Sequence, residues 1–137
     1  MPPPPATDPY VGQTLPGGLV VRRLIGTGAF ARVYEGRTPK NEPAAIKILQ
    51  EKSPEAMQLF TREIKIMRAL PPHRHRVRSM GDGHTQQHQP FLAMEFVDGG
   101  TLKDTIRQRG IMDINEAVDL MLQLCDAFSD LHALGVV

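Results

Sequence analysis

The 137 residues, 41% of them hydrophobic, suffice for one domain or for part of a larger one whose core continues elsewhere. Lys and Arg number 16 against 15 Asp and Glu, a formal charge of +1, so no global field points to nucleic acid, an anionic lipid surface or a strongly charged partner. The single cysteine, Cys125, cannot close an internal disulfide, and its apolar neighbours predict a buried thiol in a reducing compartment.

The opening "MPPPPATDPY" has no basic stretch followed by an apolar core, and no later run is long enough to span a bilayer. The chain therefore reads as soluble and cytoplasmic. Residues 1–18 are expected to be a disordered or polyproline-like leader, with a recognition motif for a small adaptor domain as the alternative; ordered structure is expected from about Leu19.

Period-two patterning begins there. "LVVRRLIG" and "RVYEGR" flank a glycine turn, and "PAAIKIL" follows a turn at "PKNEP", which predicts three consecutive antiparallel strands. In "SPEAMQLFTREIKIMRAL", Ser53 can cap, Pro54 suits the first helical position, and Leu59, Phe60, Ile64, Met67 and Leu70 keep a helical spacing. Residues 76–80 and 91–97 are expected as two more strands joined by the polar loop "GDGHTQQHQP". After Gly99 and Gly100 the period changes: "TLKDTIRQRG" predicts a short helix with a Thr101/Asp104 capping box. "DINEAVDLMLQLCDAFSDLHALG" predicts a long helix with Asp113 and Glu116 as its box and Gly135 as its stop. Five strands with one inserted helix, then helices alone, make an α+β chain of two parts.

Gly26 and Gly28, in "LIGTGAFARVYEG", are two apart at a strand–turn–strand junction. Such glycines let backbone approach a ligand and offer N–H groups to phosphate oxygens, but a tight hairpin uses them equally well. No Gly-Lys-Ser/Thr pair follows, and the next element is a strand, so neither a Walker loop nor a dinucleotide fingerprint is present. In "AAIKIL", alternation points Ala45 and Lys47 to one side and Ile46 and Ile48 to the other. The Lys47 amine either snorkels to water or needs a counterion. Glu63, on the helix whose packed side holds Phe60, Ile64 and Met67, either meets it or faces solvent.

These residues resemble the eukaryotic-like serine/threonine protein kinase family, specifically its bacterial members, from about residue 19 to 137. "GTGAFARV" is similar to the glycine-rich loop, "AAIK" to the strand-three lysine motif, "REIKIMRAL" to the glutamate-bearing helix, "FLAMEFVDGGTL" to the hinge, and "LHALGVV" to the stretch before the catalytic loop. The resemblance implies a protein-kinase-like fold: a five-stranded antiparallel small lobe with one inserted helix over residues 19–97, then the first two helices of the large lobe over 98–137. It implies ATP and Mg2+ as cofactors and a protein Ser/Thr side chain as acceptor. Lys47 would hold the α and β phosphates and Glu63 would orient it, as the catalytic pair in this stretch. Ile25, Gly26, Thr27 and Gly28 would lay the loop over the phosphates, with Phe30 shielding them at its tip. Val33 and Ala45 would roof the adenine, Met94 would guard the back of the pocket, and Glu95 and Val97 would offer backbone groups to the base.

Some positions depart from the family pattern. Ala31 stands where many members have a third glycine, Arg76 and Ser79 where relatives are usually apolar, and Thr101 near where many carry an acidic ribose contact. His73, His75, His84 and His88 are mixed with arginines and loop residues and have no cysteine partners, so no metal site is assigned. Arg74, Arg76 and Arg78 read as a solvated basic face. No residue of 1–137 takes the roles of catalytic aspartate, metal-holding asparagine or Asp-Phe-Gly, so the metal ligands are expected beyond residue 137 and these residues alone are expected not to transfer phosphate. Ile114, Val118, Met121, Leu122, Cys125, Phe128 and Leu131 form an apolar face on the last helix, free to self-associate or to meet a chaperone. The alternative reading is a noncatalytic nucleotide-binding or partner-docking kinase-like module.

Overall fold

A computed structural model describes residues 8–137. The chain divides into two units, the described residues up to Leu70 with Ser79–Phe96, and Pro71–Arg78 with Val97–Val137. The loop 71–78 thus groups with the later residues.

The first unit is an antiparallel sheet built from β1 (Thr14–Leu15), β2 (Leu19–Thr27), β3 (Ala31–Arg37), β4 (Pro43–Leu49), β5 (Ser79–His84) and β6 (Pro90–Glu95), in the order β1-β2-β3-β4-β6-β5. One helix, α1 (Pro54–Ala69), is inserted between β4 and β5. The five expected strands are present, and a two-residue strand, β1, precedes them by pairing Thr14 with Val20 and Leu15 with Leu19.

Alternation along β4 creates two layers. Ala44, Ile46 and Ile48 join Tyr10, Leu15, Leu19, Val21, Tyr34, Phe91 and Ala93 in the outer core. Leu49 joins Ala31, Ala56, Phe60 and Leu92 in the inner core, against which Ile64, Met67 and Met94 pack. Ala45 and Lys47 share that inner face by strand period. The α1 helix starts as its sequence dictates: the Ser53 side chain accepts from the Ala56 N–H at 3.3 Å, and Pro54 fills the first position, where no N–H is needed.

The structure corrects the leader. Residues 1–7 lie outside the described residues, but residues 8–18 are folded onto the outer core, because Tyr10 and Leu15 supply apolar area that β2 and β3 would otherwise expose. The expected strand over 76–80 is corrected to Ser79–His84. Arg76 is drawn instead to Asp130, while Gly81, at φ 141°, lets β5 bulge and continue through "GDGH". The turn is therefore only residues 85–89, closed by the Thr85 N–H donating to the Gln89 carbonyl at 2.8 Å.

The second unit contains α2 (Leu102–Arg109) and α3 (Ile114–Ala133). The Thr101/Asp104 capping box forms in full, and its hydrogen bonds from Thr101 lower the Asp104 pKa. The second box forms by half: Asp113 accepts from the Asn115 and Glu116 N–H groups, while the Glu116 carboxylate turns to Arg109 at 2.9 and 3.1 Å. Gly135, at φ 77°, ends α3; its N–H donates to the His132 carbonyl and that of Val136 to Leu131, the paired bonds that close a helix C-terminus. The basic face is corrected at Arg76 alone, which is only 13% exposed and paired with Asp130; Arg74 and Arg78 are exposed as expected, and Arg74 faces Asp126 at 3.4 Å, so loop 71–78 is tied to α3. Cys125 is exposed, not buried, because the apolar side of α3 is uncovered among the described residues.

Tyr34 is fully buried and donates its hydroxyl to Asp8 Oδ2 at 2.9 Å. Burial is the largest cause that pushes its phenol from 10.0 up to about 12; the Arg32 hydrogen bond opposes this and the Asp8 bond reinforces it. The unfolded chain therefore ionises this tyrosine first. The associated stability is complete below pH 10 and is lost as pH rises towards 12. Denaturant midpoints across that window should fall in the parent protein and fall less in Tyr34→Phe; equal slopes in the two would contradict the assignment.

Candidate functional site

The inner face of the first unit converges on one ion pair. Lys47 Nζ donates to both Glu63 oxygens at 3.0 Å. β4 supplies the lysine and α1 the glutamate, and the side chains are 30% and 40% exposed, so the pair stands at the rim of the core and open to a ligand. Bidentate pairing leaves the carboxylate with one geometry in which both oxygens are used. The Phe60 ring, one turn before Glu63 on α1, lies 5.8 Å from Nζ and gives the ammonium an aromatic face.

The position of α1 decides whether this pair can form. Its apolar side seats Phe60, Ile64 and Met67 on the inner core. Near its end, Arg68 clasps Asp82 of β5 with Nε and Nη2, the Nε bond measuring 2.6 Å. Asp82 was legible only as part of a polar loop; its strand position emerges from the bulge at Gly81, which no local pattern announces.

Beside the ion pair lies a cavity of about 260 Å³, lined by the turn 28–30, by Ala31, Val33 and Leu49, and by Ala56, Leu59, Phe60 and Glu63 of α1. Of the residues singled out from sequence, Gly28, Phe30, Val33, Lys47 and Glu63 meet around it. Val33 stands opposite Lys47 in the β3–β4 register, and Ala45 opposite Met94 in the β4–β6 register. Ile25, Gly26 and Thr27 lie at the end of β2 with Gly26 opposite Val33. Glu95 ends β6, and Val97 belongs to the second unit. The apolar wall of Leu49, Ala56 and Leu59 was not anticipated. Leu59 does carry the helical period, yet it is 62% exposed at the cavity rim.

The glycine turn is held from within. The Gly28 N–H donates to the Ala31 carbonyl at 2.8 Å, and the Phe30 carbonyl accepts from the Gln50 and Glu51 N–H groups at 2.7 and 3.1 Å, pinning the tip to the end of β4. Neither Gly26 nor Gly28 has positive φ. A Cβ on Gly26 would come no nearer than 3.9 Å to Val33, and one on Gly28 no nearer than 3.4 Å to the Ala31 carbonyl. Both are ordinary contacts, so hairpin folding alone does not require glycine at either position. Open space over the turn, an ammonium aimed by a carboxylate and an apolar wall together fit a phosphate-bearing ligand with a flat apolar group. Among the described residues no group of three or more His, Cys, Asp or Glu is placed to hold a metal ion, and no helix is long and apolar enough to cross a membrane.

The known proteins that this chain resembles fall in one family. The profile of the family described as "Protein kinase domain" matches residues 19–137. Human serine/threonine-protein kinase H2 is 32% identical over 118 residues, covering 85% of this chain and 30% of that protein. Serine/threonine-protein kinase pkn3 of Myxococcus xanthus is 28% identical over 137 residues, covering 97% of this chain and 25% of its own length. The crystal structure of the Mycobacterium tuberculosis PknI kinase domain superposes with a TM-score of 0.76 at 25% identity, over 90% of this chain and 51% of that one. The chain thus spans less than a third of these two sequence relatives and about half of the solved domain.

Phe60 is buried to 4% and touches both the cavity and the inner core. Phe60→Ala should cost about 3–5 kcal/mol in denaturant unfolding, by loss of transfer energy and by the void left behind. A loss under about 1 kcal/mol would mean that α1 is not seated through this ring.

Proposed function

Because this chain belongs to the protein kinase domain family, we propose that it forms the ATP-holding portion of a serine/threonine kinase domain. When complete, that domain would move the γ-phosphoryl of ATP to a protein Ser or Thr. The observation that carries the proposal is the Lys47–Glu63 pair facing a glycine turn whose glycines the hairpin itself does not need.

Bound ATP with Mg2+ supplies the transferable phosphoryl group. The chain's own residues hold and aim it. Lys47 offers its ammonium to the α and β phosphates, and Glu63 keeps that ammonium from wandering. Gly26 and Gly28 leave the backbone free to approach, with Ile25 and Thr27 beside them, while Phe30 keeps water from the phosphates. Val33 and Ala45 would cover the adenine, Met94 would close the rear, and Glu95 would meet the base with its backbone carbonyl. Phosphoryl transfer also needs a group near the acceptor hydroxyl and ligands for the metal, and no residue of 1–137 is assigned to either. Residues 1–137 alone should therefore bind nucleotide and turn it over negligibly. The proposed setting is cytoplasmic, where ATP is supplied. Exposed Ile114, Val118, Met121, Leu122 and Phe128 on α3 favour a second reading, in which this surface serves self-association or docking.

Calorimetric titration with Mg-ATP tests the proposal. Saturable binding is expected in the parent protein, and Lys47→Ala should weaken it by about tenfold or more through loss of a charged partner for phosphate. Gly28→Ala should weaken binding while leaving the melting free energy within about 1 kcal/mol, since its Cβ meets only solvent and ordinary contacts. Absence of binding in a parent protein that melts cooperatively would overturn the proposal.

A further inference from the structure

Residues 8–18 precede the matched family region, which begins at residue 19, yet they are folded into the first unit. The Gly12 N–H donates to the Val21 carbonyl and the Val21 N–H to the Gln13 carbonyl, both at 2.9 Å, and β1 continues the pairing to Leu15. Tyr10 is 4% exposed and its ring meets that of Tyr34 edge-on, with centroids 5.8 Å apart. At the far end of the sheet, Gln13 Nε2 donates to Gln87 Oε1 at 2.9 Å in the β5–β6 turn. The segment crosses the outer face and joins the first hairpin to the last.

Asp8 makes the decisive contacts. Its Oδ1 accepts from the Tyr10 N–H at 3.0 Å, and its Oδ2 accepts from the Tyr34 hydroxyl at 2.9 Å and faces Arg32 Nη1 at 3.5 Å. Arg32 and Tyr34 are the two residues flanking Val33, whose side chain lines the cavity on the opposite face. In the hairpin register Arg32 lies opposite Thr27 and Tyr34 opposite Leu24. One carboxylate therefore grips β3 from behind, on both sides of a cavity residue and directly across from the glycine turn. The β2 arm of the hairpin gains from such a grip: its tip is pinned to the end of β4, but β2 itself has register shifts between Val21 and Arg23 and between Leu24 and Gly26, and Leu24 and Ile25 are exposed, so this arm is irregular and little packed.

We propose that residues 8–15 are a strap that positions the glycine turn, with Asp8 as the positioning residue acting through Arg32 and Tyr34. Its consequence for ligand affinity rests on the nucleotide reading; its consequence for the turn does not. Charge-assisted bonds to a buried phenol and a guanidinium resist local opening more than neutral ones do, so loss of the carboxylate should act at the hairpin before it acts on the whole sheet.

Amide hydrogen exchange on the full chain reads this directly. In Asp8→Ala, the Gly28 and Val33 amides should exchange about tenfold faster, while those of Ile46 and Ala93, in the centre of the sheet, should change by less than about twofold. Equal acceleration at all four sites would reduce the segment to a general stabiliser and overturn the proposal, as would no change at Gly28. If Asp8→Ala does not fold, Asp8→Asn serves: it keeps an acceptor for Tyr34, gives up the charge opposite Arg32, and should show the same site pattern at smaller amplitude. In parallel, Mg-ATP affinity should fall about tenfold in Asp8→Ala. A parent protein that fails to bind ATP overturns the nucleotide reading, and the exchange pattern then still decides the strap.

Discussion

The meeting of Lys47 with Glu63 is the constraint on which the rest of the first unit depends. A lysine on a central strand and a glutamate one helix later are useful to each other only if α1 lies across the inner face at one height and one rotation. Three features set that placement: the Ser53 cap fixes where the helix begins, Phe60, Ile64 and Met67 fix which side faces the sheet, and the Arg68–Asp82 clasp fixes its far end to β5. Of these residues only Phe60 also lines the cavity. Each is nonetheless needed for the carboxylate to arrive within hydrogen-bond distance of the ammonium.

Much of this was legible because the signals are local. Alternation in "PAAIKIL" places Lys47 on the face opposite Ile46 and Ile48, and "SPEAMQLF" holds a cap, a proline and a helical period within a few residues. What was not legible depends on contacts distant in sequence. The run "DPYVGQTL" has too few apolar residues to announce order, and its Tyr10 and Leu15 are buried only because an outer face formed by β2, β3 and β4 awaits them. β5 was misplaced because Arg76 and the glycines around Asp82 contradict strand propensity; the strand exists because β6 offers it a ladder and Arg68 pairs its aspartate. Cys125 looked like core because its neighbours on α3 are apolar, but an apolar face is buried only when something covers it.

The glycines illustrate how structure separates two readings that sequence leaves level. A turn that needed glycine for its own conformation would show positive φ or a Cβ collision, and Gly26 and Gly28 show neither. Gly28 lines the same cavity as the Lys47 ammonium, and Gly26 stands opposite Val33 of its wall. The hairpin's own geometry therefore gives no reason for glycine at these two positions, and the proposed nucleotide site supplies one.

The central claim is that Lys47 and Glu63 act on nucleotide as one device, and a double-mutant cycle measures this most directly. Mg-ATP dissociation constants would be taken, by competition against a fluorescent nucleotide, for the parent protein, Lys47→Met, Glu63→Gln and the double variant. If Glu63 acts by aiming Lys47, its loss weakens binding when the lysine is present and changes little when it is absent, so the two effects fall short of adding. Additive losses would mean that the residues contribute separately and that the ion pair is a structural contact beside the site, contrary to this account.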